Sequence, residues 1–186
     1  MNKKLVLLVA TLAVFIAPLL ATANLGQFER VEAKTFAKNK FDFPSGVSGQ
    51  QLNVMFLGMS ASQEDGEYQQ AALLEWYSSL QERGVFSANV KPYHFLAMQG
   101  IPWFVKGMVI KKMAEPYEGQ ISLDQTAVLF IDDIDEFAAA VGLPSDPVPT
   151  IVLADSSGVP LTYFRGDVSA QGVDEVVAAI EKLLEG

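Results

Sequence analysis

One stretch decides the fold class. Residues 52 to 59, LNVMFLGM, form an apolar run in which Asn53 is the only polar side chain. The run has no period-two alternation, so as a strand it must be covered on both faces. A helical pattern follows. Tyr68, Ala71, Ala72, Trp76, Tyr77 and Leu80 recur at spacings of three and four, which draws one apolar face along a helix. Ser60 or Ser62 is placed to cap its first amides, and Gly84 to end it in a left-handed conformation. A doubly covered strand feeding an amphipathic helix is the unit of an α/β sheet.

The rest of the chain repeats that unit with variations. Residues 24 to 40 read as a polar lead-in, and Phe41 to Phe43 as a short edge strand stopped by Pro44. Val85 to Met98 is a second strand region, interrupted by Pro92. IPWFVKGMVIKKM, residues 101 to 113, reads as helical, with Pro102 in its first turn. Thr126 to Ile131 is a further buried strand, and Ile134, Phe137, Ala138 and Val141 mark a short helix stopped by Gly142 and Pro144. Thr150 to Ala154 and Pro160 to Arg165 flank Asp155-Ser156-Ser157-Gly158, a hairpin turn. A last helix begins near Ser169, with a stripe through Val173, Val176, Val177, Ile180, Leu183 and Leu184. Strands alternating with helices predict a parallel sheet, and the terminal hairpin adds antiparallel strands at one side.

Residues 1 to 23 have the form of a secretory signal peptide: Lys3 and Lys4, an apolar run from Leu5 to Leu20, then Ala21-Thr22-Ala23. The expected destination is across the inner membrane, in a periplasm. An uncleaved anchor helix is the alternative, and Pro18 and the short run weigh against it. The leader holds two lysines and no acid, so the remainder is two units more negative than the whole chain's −9. That balance argues against nucleic acid as a partner. The chain has no cysteine, which rules out disulfides and every form of thiol chemistry.

Val148-Pro149-Thr150, followed by IVLADSSGVPLTYFRGD and the closing helix, resembles the second half of a thioredoxin fold. FDFPSGVSG, Phe41 to Gly49, resembles the start of peroxiredoxin-like members of that fold. The resemblance implies a thioredoxin-like three-layer sandwich over residues 41 to 186, a mixed central sheet with helices on both faces. Within it, the chain is most similar to the YtfJ-like family of exported bacterial proteins, over Ile101 to Lys112 and Val148 to Leu184. Members of that family share the signal peptide, lack the redox cysteine pair and bring no established activity. A fainter likeness, in the hairpin-and-helix ending, is to the thioredoxin-like assembly factor of the mitochondrial ATP synthase. In such folds the proline before the strand is usually cis, and the residue ahead of it offers a backbone edge to extended peptides.

The resemblance places thioredoxin-type catalysis near Ser60 to Asp65, where a helix N-terminus would acidify a thiol. A serine hydroxyl there needs a base, and the only imidazole is His94, expected to be half-buried. Asp132, Asp133, Asp135 and Glu136 lack calcium-loop spacing and read as acids favouring a helix start. The methionines lack a close M-x-M spacing for copper and read as core. No metal and no cofactor is expected. The candidate binding groove comprises Ser60, Ala61, Ser62, Val148 and Pro149, joined by Trp103 and Phe104 as aromatic anchors. Residues 101 to 113 are either buried against the sheet or meet a protein partner or a membrane surface. The reading this supports is a non-catalytic, exported binding or assembly module with an exported or inner-membrane protein partner. A cysteine-independent enzyme and a small-ligand or metal carrier are the alternatives.

Overall fold

The computed structural model describes residues 25–60 and 62–185, so the leader, Asn24, Ala61 and Gly186 lie outside the described residues. Seven strands build one sheet: β1 Val31–Thr35, β2 Lys40–Phe43, β3 Leu52–Ser60, β4 Val90–Gln99, β5 Thr126–Ile131, β6 Thr150–Asp155 and β7 Pro160–Arg165. Among the described residues four α-helices accompany them: α1 Gln63–Glu82, α2 Lys106–Ala114, α3 Ile134–Ala139 and α4 Ala170–Glu185. The strand order is β2-β1-β5-β4-β3-β6-β7. β3, β4 and β5 run parallel, while β6, β7, β1 and β2 join by antiparallel pairing.

The apolar run becomes β3, buried along its whole length between β4 and β6. Its alternate residues feed two cores. Leu52, Val54 and Phe56 pack with Leu73, Trp76, Tyr77 and Leu80 of α1 and with Val176 and Ile180 of α4. Met55, Leu57 and Met59 face Phe137 and Ala138 of α3 together with Phe28, Phe43 and Val47. Helices therefore cover both faces of a mixed sheet.

The hairpin turn is held by packing as well as by local geometry. Gly158 has φ +85°, and a Cβ there would lie 2.6 Å from the Pro44 carbonyl oxygen. Gly84 likewise turns with φ +69° just past the end of α1.

Three features depart from the sequence reading, and a fourth settles what it leaves open. The lead-in holds a strand, β1, which joins β2 to the rest of the sheet. Pro92 lies inside β4 rather than breaking it. It pairs beside Val54 of β3, while pairing with β5 begins only at His94, so Pro92 sits where one side of β4 has no strand to bond. α2 starts at Lys106, four residues after Pro102. The cis peptide among the described residues is Phe43–Pro44, not Val148–Pro149.

Candidate functional site

The carboxyl ends of the three parallel strands define one rim of the sheet, the place where ligands meet open α/β sheets. β3 delivers Ser60, β4 ends at Gln99 and leads to the Gly100–Val105 loop, and β5 ends at Ile131 before Asp132 and Asp133. Thr150 of the antiparallel β6 pairs with Leu57, which brings Val148 and Pro149 alongside the Met59 end of β3. The topology thus gathers Ser60, Ser62, Val148, Pro149, Trp103 and Phe104 at one rim. Ala61 lies outside the described residues.

Ser60 and Ser62 are committed to the turn and to the helix cap. The Ser60 hydroxyl donates to the Ser62 carbonyl and accepts from the Ser62 amide at 3.2 Å. Ser62 is the N-cap of α1: its hydroxyl accepts from the Asp65 amide at 3.2 Å and donates to the Asp65 carboxylate at 2.6 Å. Acids at Glu64 and Asp65 complement the helix dipole in the first turn.

No base reaches these hydroxyls from His94. That imidazole pairs with Phe56, four residues before Ser60, which separates the two by roughly 13 Å along the strand. It is also fully buried rather than half-buried, a correction to the sequence reading. Its ring stacks on Phe56 with centroids 4.4 Å apart and meets the edges of Tyr77 and Tyr117 at 5.5 and 5.4 Å. Neither ring nitrogen has a hydrogen-bond partner, and burial pulls its pKa down to about 3. His94 is a neutral core side chain at every physiological pH.

The Val148–Pro149 loop is pinned on all sides. The Val148 amide donates to Asp146 at 3.1 Å, and its carbonyl accepts from the Thr150 hydroxyl at 3.1 Å. Arg165 pairs with Asp146 and donates from Nε to the same Thr150 hydroxyl at 3.3 Å. The Arg165 hydrogen bond holds the Asp146 carboxyl below the usual carboxylate range. The Gly166 amide donates to the Pro149 carbonyl at 3.0 Å. An added strand needs free N–H and C=O groups, and Val148 already has partners for both.

The aromatic loop is the exposed apolar part of the rim. Trp103 is 84% exposed, Phe104 69% and Met108 70%. The two aromatic rings meet edge to face, 6.0 Å apart. Of α2 only Ala114 is fully buried, while Ile110 and Met113 pack half-buried against the core, so residues 101 to 113 lie against the sheet on one side and are exposed on the other. Lys111 and Lys112 stand exposed behind the tip, and Lys112 lies 3.8 Å from Glu67 on α1.

Asp133 acts as a cap for α3, its carboxylate accepting from the Asp135 and Glu136 amides at 2.8 and 3.0 Å. Among the described residues no group of three His, Asp or Glu side chains is placed to hold a metal, and no helix is long and apolar enough to cross a membrane.

These features define a thioredoxin-like α/β protein without thiols. Its architecture is similar to that of BsSco, a member of the Sco family of cytochrome c oxidase assembly proteins. The two are 14% identical, with 86% of this chain and 94% of the other covered and a TM-score of 0.57. It is equally similar to a protein of Aquifex aeolicus VF5 described as a candidate for electron transfer, at 12% identity, 86% and 97% coverage and a TM-score of 0.57. No protein-family model and no curated protein matches the sequence. Likeness at such identity establishes the fold.

Proposed function

We propose that this chain is an exported, non-catalytic thioredoxin-fold module that binds or helps assemble a protein partner, gripping it through the Trp103–Phe104 tip. The carrying observation is the exposure of Trp103 and Phe104, their rings edge to face, with exposed Met108 in the first turn of α2, at the rim where thioredoxin chemistry would otherwise sit. Exposed clustered aromatics are uncommon on a lone surface and are the side chains that dominate interfaces. The serines beside them are occupied in capping, and the chain has no thiol to react.

The signal-peptide pattern supports a periplasmic location, with a partner there or in the inner membrane. The YtfJ-like family remains the finer affiliation we favour, on Ile101 to Lys112 and Val148 to Leu184. A second reading rests on Lys111 and Lys112: an aromatic tip backed by exposed lysines also suits an anionic lipid surface.

Crosslinking in living cells, read by mass spectrometry, tests the proposal. One exported or inner-membrane protein should dominate the adducts, and Trp103→Ala should remove it. Capture that is unchanged by Trp103→Ala would overturn the proposal. Sedimentation with phosphatidylglycerol vesicles, in place of a protein adduct, would select the lipid reading.

A further inference from the structure

A basic groove of this acidic chain begins at Lys106, two residues past the aromatic tip. β1 and β2 form a ribbon that alternates in burial. Phe41 and Phe43 turn inward to the α3 side, while Glu32, Lys34, Lys40 and Asp42 are exposed on the other side. On that other side α2 does not cover the ribbon, and a concavity of about 800 Å³ opens between the two. Its cations are Arg30, Lys34, Lys38, Lys40 and Lys106, against Glu32 and Asp42 as acids. Phe130 and Ile110 give it an apolar wall, with the Lys106 ammonium 4.7 Å from the Phe130 ring centroid.

The charges are not self-compensated along the groove. Glu32 sits directly opposite Asp42 across the ribbon, and Arg30 lies 3.8 and 3.2 Å from their carboxylates, which relieves that repulsion. Lys34 sits directly opposite Lys40. Like charges at directly paired positions oppose strand pairing, and among the described residues no carboxylate forms an ion pair with either lysine. Lys38, in the turn beyond, adds to the same field.

The backbone beside the groove is also incompletely paired. β1 and β5 share only Lys34↔Val128 and Thr35↔Ala127. Val31 to Ala33 have no registered partner on β5. The lining of the groove follows β1 from Glu32 to Thr35, roughly 13 Å, which suits an extended peptide of about four residues.

We propose that this groove receives an extended acidic segment of a protein partner, its carboxylates over Lys34, Lys40, Lys38 and Lys106 and an apolar side chain against Phe130 and Ile110. The segment would reach the groove from the Trp103–Phe104 tip, because Lys106 at the start of α2 belongs to both surfaces. This rests on the binding-module reading and specifies the chemistry of what is bound. A single phosphate would leave most of a volume of this size empty. A flat lipid surface would not follow the concavity to Phe130.

Random dodecapeptides displayed on phage and selected against the intact protein test the proposal, with synthetic copies of the winners titrated by fluorescence anisotropy. The expected winners alternate Asp or Glu with apolar residues. Their Kd should rise at least tenfold in Lys34→Glu/Lys40→Glu and rise again with added salt. The single change Lys40→Glu puts opposite charges across the ribbon, so it should raise Tm while weakening peptide binding. Winners without acids, or acidic winners that bind the double variant equally well, would overturn the groove. So would groove-dependent binding of phosphatidylglycerol vesicles or inorganic phosphate with no peptide selected. A groove that fails while a Trp103-dependent partner adduct persists would leave the module reading standing alone.

Discussion

Substituting His94→Phe should flatten the acid side of the stability profile. The folded protein keeps this imidazole neutral down to about pH 3, because protonation would strand a charge among Phe56, Tyr77 and Tyr117. The unfolded chain protonates it near pH 6.5. Between those values the unfolded state binds the extra proton, so stability falls as the pH drops below 6.5 and is fully present above it. A native pKa of about 3 makes this loss about 2 kcal/mol between pH 7.5 and pH 5. Phenylalanine has nothing to protonate, and it removes two ring nitrogens that lack hydrogen-bond partners. Its larger ring changes the packing, but that contribution is the same at both pH values and cancels in the difference. Urea unfolding of both proteins at pH 7.5 and pH 5 measures it. The wild type should lose about 2 kcal/mol more than the variant over that interval. An equal loss in the two proteins would refute the burial and isolation of His94.

Other parts of the account can be tested by stability alone. Ser62→Ala removes the N-cap of α1 and should cost about 1 kcal/mol in urea unfolding. Gly158→Ala meets both a left-handed backbone and the Pro44 carbonyl, and should cost about 2 kcal/mol or more, seen as a lower Tm. Arg165→Ala breaks the ion pair with Asp146 and the bond to Thr150, and should cost about 1 kcal/mol after allowance for the partial exposure of Asp146. It should also accelerate hydrogen exchange at the Val148 amide, which Asp146 now accepts.

The central fold was legible because its signal is burial. β3 announces itself by an unbroken apolar run because it is covered on both faces, and α1 and α4 by apolar stripes that share one face of the sheet. β1 was not legible. Its VEAKT sequence turns inward two half-buried apolar residues, Val31 and Ala33, and a buried but polar Thr35, so alternation there is too weak to stand out from a polar lead-in. Pro92 misled because a proline excludes a strand only where a neighbour needs its N–H, and partner strands do not show in sequence. His94 misled in a similar way: its burial comes from three aromatic rings, all of them far away in the chain.

The candidate site was legible in its parts and less so in its state. The rim brings together residues widely separated along the chain, as a strand-to-helix reading implies. The satisfied backbone at Val148 depends on Asp146 and Arg165, which become neighbours only when β6 and β7 pair. The basic groove was missed because Lys34 and Lys40 belong to a strand pair that the sequence did not disclose, and the overall acidity hides a local excess of lysine.

The most direct test of the module is site-specific photocrosslinking in cells, with a photoreactive side chain placed in turn at Phe104, at Val148 and at exposed Gln120 away from the tip. One dominant partner adduct from position 104, lost when Trp103→Ala is added to the same chain, is the expected result. Adducts of equal yield and identity from positions 104 and 120, or none from 104 in a folded protein, would contradict it.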